Sequence, residues 1–456
     1  MNSFQGKPLK STGYLNHYHY DGEVVSSVNP PRIKVPIAIW IGLFAFFLVL
    51  FLNYLQGIDT TRYPDAPLFI DQALGILNGW DFMKSNSLLF LSPLGFTSTL
   101  AGSFYISQST SILLFKVLLA ATHGLSTYLV AIIGKSMGMS RRFWLLAAFC
   151  FSLDPFLLVS AIDIQVETFV TFFVLFWGYL FMVEAKNHYQ LYFQTIAFGL
   201  SGFIAITFRP NILIPFALLT IFLFYSWRRE AFRWKLIANT LLSFLTPLAI
   251  FEVIISKLYG GFVFLAANGG LNTVLTCKAQ FLSQYTGLIS SVTNREVNRT
   301  YYAELQAIKS DILLQNPNIS FSDFNQEYLK IGLDTCFENP IQSGFVVLVK
   351  SIALWRPFTV IGAYGISISL LSLLIWLPLS LATIWVLIRK NSLKGVRIMS
   401  KYFVILAVGF TISLVPSSTQ IRHRVAFAEP FYWLFGVYAL SITMIHLKNR
   451  KMNSRK

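Results

Sequence analysis

Charge is what this chain has least of. Asp, Glu, Lys and Arg make up 12% of its 456 residues, about half the ~25% usual in a soluble globular protein. That scarcity excludes an ordinary soluble domain. Acids are rarer than bases, 20 against 36. Cysteine occurs three times. Several signatures are missing altogether. There is no Walker A loop, no His-Glu-x-x-His and no Gly-x-Ser-x-Gly, so an ATP-driven pump, a zincin or a serine hydrolase built on those templates has no support. There is no internal repeat and no low-complexity tract.

What is present is apolar. Hydrophobic residues account for 55% of the chain and aromatic residues for 16%, with 43 Phe. Length alone would allow about three soluble domains, but the apolar runs cover nearly the whole chain, so one membrane domain is expected. Spanning hydrocarbon takes about 20 apolar residues. Ten stretches are candidates: 35–55, 109–133, 143–160, 166–183, 191–208, 211–227, 236–256, 364–388, 402–417 and 425–446. The expected fold class is therefore an all-α polytopic membrane protein with about ten transmembrane helices. Pro155, Pro210, Pro215 and Pro247 are expected to bend or break helices.

The net charge of +16 could suggest nucleic acid as a partner, but the bases lie in short clusters between apolar runs, where the positive-inside rule puts them. No nucleic-acid partner is expected. With residues 1–34 as a cytoplasmic tail, the clusters Arg32 and Lys34, Lys135 with Arg141 and Arg142, Arg228 to Lys235, Arg389 to Lys401 and the basic tail 447–456 all fall inside. Both termini are then cytoplasmic. The first 30 residues lack an apolar core, so no cleavable signal peptide is expected. The transmembrane domain, 35–446, carries two long outer segments, 57–108 and 257–363. In the second, Phe345 to Pro357 is too short and too charged to span, and reads as an interfacial helix on the outer leaflet.

Few polar residues are left to carry chemistry. Asp65 follows Pro64 at the outer mouth of the first span and precedes a helical pattern with Phe69, Ala73, Ile76 and Leu77 on one face. It reads either as the cap of that helix or as a catalytic group. Asp154, before Pro155 and deep in a span, is a functional candidate by position and a helix cap by its Asp-Pro context. Asp163 and Glu167 are four apart, which would put both carboxylates on one helical face. Metal binding, acceptor binding and plain solvation all remain open for them. Positive charge is scarcer outside than inside, and five residues stand out by their placement at outer helix ends or on the interfacial helix: Arg209, Arg422, Arg424, Lys350 and Arg356. A phosphate would suit these Arg residues, which can grip it in bidentate fashion; lipid headgroups are the alternative. Cys150 reads as packing in an apolar span. Cys277 and Cys336 share the second outer segment, where an oxidising compartment would allow a disulfide.

Together the stretches Tyr63–Gly79, Leu91–Gly95, Pro155–Glu167, Thr207–Pro210, Asn268–Asn272 and Arg422–Pro430 resemble the bacterial GT-C membrane glycosyltransferases, relatives of the dolichyl-phosphate-mannose protein mannosyltransferases and of the lipid A aminoarabinose transferase. The resemblance spans most of the chain through short motifs. It implies a plasma-membrane enzyme taking a sugar from a polyprenyl-phosphate donor to a lipid, glycan or protein acceptor on the outer face, with inversion. Asp65 would be the general base, the outer Arg and Lys residues would hold the donor phosphate, and Asp163 or Glu167 would serve as acceptor-binding or second acid. No cofactor is implied beyond an optional divalent metal at those acids. Many relatives have Asp-Glu where this chain has Asp65-Ala66. A lipid-linked-sugar flippase and an O-antigen-type ligase are the competing readings.

Overall fold

In hydrocarbon every backbone N–H and C=O must find a partner inside the protein, which leaves an apolar chain with helices. In the computed structural model, which describes residues 36–62, 65–79, 93–185, 187–227, 232–259, 261–262, 294–317, 319–356, 361–389, 393–414 and 421–453, the regular elements are all helical. The first ten α-helices are α1 (Pro36–Gln56), α2 (Ala66–Leu77), α3 (Leu94–Ser107), α4 (Leu113–Ser136), α5 (Arg141–Ser152), α6 (Pro155–Ile162), α7 (Glu167–Met182), α8 (His188–Phe208), α9 (Leu213–Ser226) and α10 (Arg233–Tyr259). They are followed by α11 (Asn294–Gln315), α12 (Phe321–Glu338), α13 (Pro340–Trp355), α14 (Ile361–Ile388), α15 (Lys394–Leu414) and α16 (Ile421–Asn453).

Seven of these helices are long and apolar enough to cross a membrane, or eight if the bent pair α5–α6 counts as one span. Two stretches expected from the sequence to span, 166–183 and 211–227, fold as the shorter helices α7 (16 residues) and α9 (14 residues). The prolines act unequally. Pro155 opens α6 after a 52° bend, and Pro210 opens a single 3-10 turn between α8 and α9. Pro215 sits in the first turn of α9, where its missing N–H costs nothing. Pro247 lies inside α10, which continues through it without a break. A complete break there would expose several more backbone groups to lipid than the one bond proline removes.

Burial separates centre from rim. The apolar core of α4 is 67% buried and that of α16 is 72% buried, against 28% in α1, 17% in α10 and 22% in α14. The rim helices turn Trp40, Phe47, Phe51, Leu242, Val253 and Leu374 outward, as a lipid-facing surface requires. Helix pairing in such a setting depends on close backbone approach at small residues. At the α1–α4 crossing a Cβ on Gly124 would lie 2.8 Å from the Gly42 carbonyl oxygen, and a Cβ on Gly42 would lie 2.9 Å from that of Gly124. Gly124→Ala should therefore lower the thermal midpoint of the detergent-solubilised protein, an overpacking cost of about 1–3 kcal/mol. Gly102→Ala, where nothing lies within 4 Å of the added carbon, should leave it unchanged or raise it. Equal midpoints for the two variants would contradict the close crossing.

The bundle has two polar ends. At one, Ser413 at the end of α15 donates to the Asn211 carbonyl before α9, and Thr171 near the start of α7 donates to the Ala426 carbonyl near the start of α16 at 2.9 Å. At the other, Lys394 at the start of α15 pairs with Glu184 after α7 at 2.8 Å, and Arg389 after α14 lies 3.4 Å from His446 late in α16.

Candidate functional site

Asp65 stands at the first of these ends. It occupies the N-cap position of α2, yet its carboxylate makes no capping bond to the amides of the first turn; Ala66 and Pro67 supply the start of the helix instead. The side chain is half-buried, and burial raises its pKa above the ordinary carboxylate value. The helix it leads is tied down by aromatics. Phe69 packs edge-on against Phe96 of α3, with ring centroids 5.0 Å apart. Phe96 in turn meets Phe115 of α4, Phe169 of α7 and Phe208 of α8 at 5.4, 6.2 and 6.2 Å. Gly95 makes this possible: a Cβ there would lie 2.4 Å from the Thr207 hydroxyl.

Glu167 opens α7 and Arg209 follows the last residue of α8. Arg209 Nη1 donates to Glu167 Oε1 at 3.0 Å, with side-chain exposures of 11% and 3%. Asp163 is elsewhere. It ends α6 in an extended backbone conformation (φ −121°, ψ 168°), so it shares no helical face with Glu167. This corrects the expectation drawn from their spacing, which assumed one continuous helix. Asp163 Oδ2 accepts the Arg62 N–H at 2.9 Å and Oδ1 accepts the Ile164 N–H at 2.9 Å. Among the described residues, no three His, Cys, Asp or Glu side chains gather as a metal cage.

The third polar group lies inside the bundle. Arg424 and Glu429 are both fully buried on α16, with Nη2 to Oε1 at 3.0 Å. Arg424 Nη1 donates to the carbonyl of Arg356, just past α13, and the guanidinium stands over Trp376 at 4.4 Å. Asp154 caps α6 as its Asp-Pro context suggests, accepting from Phe156 N at 2.9 Å and Leu157 N at 3.1 Å. It also accepts from Trp433 Nε1 at 2.9 Å. Lys350 of α13 is fully buried too, and burial pushes its ammonium down to about 8. Arg424 and Lys350, for which the resemblance implies a donor phosphate, are both fully buried, and their helices α16 and α13 pack on each other.

Arg422 is the second residue of α16, with its side chain outside the described residues, as are Tyr63, Pro64, Leu91, Ser92, Asn268–Asn272 and Cys277. Cys336 is disulfide-bonded and Cys150 is a free thiol. Three polar residues are absent from the sequence-based candidates: Glu429 and Trp433 of the buried group, and Lys116 at the start of α4. Lys116 is 1% exposed in the first turn of α4 and donates to the Thr60 carbonyl at 2.8 Å. A charged residue inside an apolar run was the available signal. Searches against protein-family models and against curated proteins find no match to this chain.

Proposed function

We propose that the protein is an integral-membrane glycosyltransferase of GT-C type, moving a sugar from a polyprenyl-phosphate donor to an acceptor hydroxyl with inversion. The observation that carries this reading is Asp65: a half-buried carboxylate at the mouth of the bundle that does not serve as the helix cap its position would suggest. A general base needs placement first and a raised pKa second; the position of Asp65 at the start of α2 and its partial burial support that role. Arg209 is our choice for the donor phosphate. Glu167 holds one of its amino groups, and an 11% exposed edge remains. The donor's own sugar–phosphate link supplies the driving force, so no nucleotide site is needed.

In this reading the chain crosses the membrane ten times, with α7 and α9 as short spans and α5–α6 as one bent span. Contacts at both ends of α7 favour it: Thr171 bonds Ala426 at one end and Glu184 pairs with Lys394 at the other. The Asp65 end faces outward, away from the basic clusters, in a bacterial plasma membrane. The bent α5–α6 span with its buried Asp154 is the feature that favours a transporter. Transporters pair two such broken helices in matched positions, and one bent pair occurs among the described residues.

Two measurements test the reading. Purified protein incubated with a panel of polyprenyl-phosphate sugars should release polyprenyl phosphate. In intact cells, a membrane-impermeant maleimide should label Ser310→Cys on α11 and spare Arg397→Cys on α15, both exposed positions. The reverse labelling would put every proposed site residue in the wrong compartment.

A further inference from the structure

The segment between α1 and Asp65 has no regular structure, yet its backbone is held at three points by side chains and amides from elsewhere. Gly57, with a positive φ of 96°, ends α1. Asp59 Oδ1 then accepts from Ser111 Oγ at 2.7 Å and from the Ile112 N–H at 3.1 Å, anchoring the segment to the start of α4. Lys116 Nζ donates to the Thr60 carbonyl at 2.8 Å and reaches the Gly57 carbonyl at 3.5 Å. Two residues further on, Asp163 accepts the Arg62 N–H at 2.9 Å.

Lys116 and Asp163 are buried, at 1% and 3% exposure. Burying an ammonium and a carboxylate costs several kcal/mol per ion unless each is well bonded. Both Lys116 bonds and one of the two Asp163 bonds go to main-chain atoms of one short loop, the other Asp163 bond going to the Ile164 N–H, so both side chains act on that loop. Arg62 is three residues from Asp65, a reach of about 10 Å at full extension. Asp65 is therefore tethered on its other side as well, by Phe69 in the aromatic cluster.

We propose that Lys116 and Asp163 are positioning residues: they clamp the backbone of 57–62 from opposite elements, α4 and the α6–α7 junction, and so fix where Asp65 meets the acceptor. This rests on Asp65 being the base. It also gives Asp163 a role different from that of a metal ligand or acceptor-binding acid, since its two oxygens serve two main-chain amides. A misplacement of about 1 Å can cost roughly 10²-fold in rate.

The test joins hydrogen exchange of a peptide covering 57–62 with steady-state kinetics, on full-length protein in detergent. Asp163→Ala and Lys116→Met should each speed exchange at least tenfold and lower kcat by about 10²-fold, with KM for the donor unchanged. Asp163→Asn keeps an acceptor oxygen for the Arg62 amide and should retain slow exchange and most of kcat. Unchanged exchange in the Ala and Met variants overturns the clamp. So does an Asn variant that exchanges slowly but is inactive, because a carboxylate is then needed for chemistry. Should the Ala and Met proteins not fold, the Asn variant decides alone by the same criterion. Faster exchange in a protein that transfers sugar from no donor overturns the glycosyltransferase reading and leaves the clamp in place.

Discussion

Asp65→Asn should lower turnover by about 10²–10⁴-fold, the usual loss when a general base is removed, while the thermal midpoint of the purified protein stays within a degree or so of wild type. Asn is nearly as good a helix cap as Asp and has nearly the same size and shape, so stability should move little. Substitution should act on kcat more than on KM, because the lost interaction belongs to the transition state. The pH profile gives a second readout. A base must be deprotonated to work, so activity disappears as pH falls through its pKa. Burial raises that pKa, so the acidic limb of kcat/KM should lie above the range of a solvent-exposed carboxylate. Near-normal turnover in Asp65→Asn would remove it from the site.

Arg424→Ala should destabilise the protein by about 3–5 kcal/mol, the cost of leaving one member of a buried ion pair behind. The abandoned Glu429 is fully buried, and among the described residues its Oε2 has no hydrogen-bond partner even in the wild type. The Arg356 carbonyl would also lose this donor, freeing the end of α13. A double variant, Arg424→Met with Glu429→Met, should recover most of that loss, since well-packed apolar residues often replace a buried pair at little cost. Thermal inactivation in detergent measures both. The double variant also separates two roles for Arg424. As an interior strut it can be replaced with donor affinity kept within a few-fold; as a phosphate ligand it cannot. A double variant no more stable than the single one, or a stable double variant that no longer binds donor, would contradict the strut.

Much of the architecture was legible because hydrocarbon imposes length and polarity rules that act on the chain locally. Positions such as 35–55 and 191–208 are apolar runs of the right length, and they fold as α1 and α8. The Asp154-Pro155 pair announced its cap. What could not be read was pairing across distant parts of the chain. Asp163 and Glu167 look like neighbours on one helix, but Gln165 N–H bonds back to the Asp163 carbonyl at 2.9 Å in the turn that separates α6 from α7. Arg209 finds Glu167, and Arg424 finds Glu429 with Arg356, only once the helices are assembled. Charge scarcity marks such residues as important without distinguishing a ligand-facing cation from a strut. Lys116 shows the same limit: its hydrogen bonds go to main-chain carbonyls at 57 and 60, which leave no trace in side-chain pattern.

The most direct measurement is the release of polyprenyl phosphate from a polyprenyl-phosphate sugar by purified protein, with wild type and Asp65→Asn prepared side by side and the anomeric configuration of the product recorded. The expected result is many turnovers by wild type with at least one donor of the panel, an inverted product, and a loss of about 10² or more in the Asn variant. Release by both proteins at equal rates, a retained configuration, or no release with any donor would contradict the assignment.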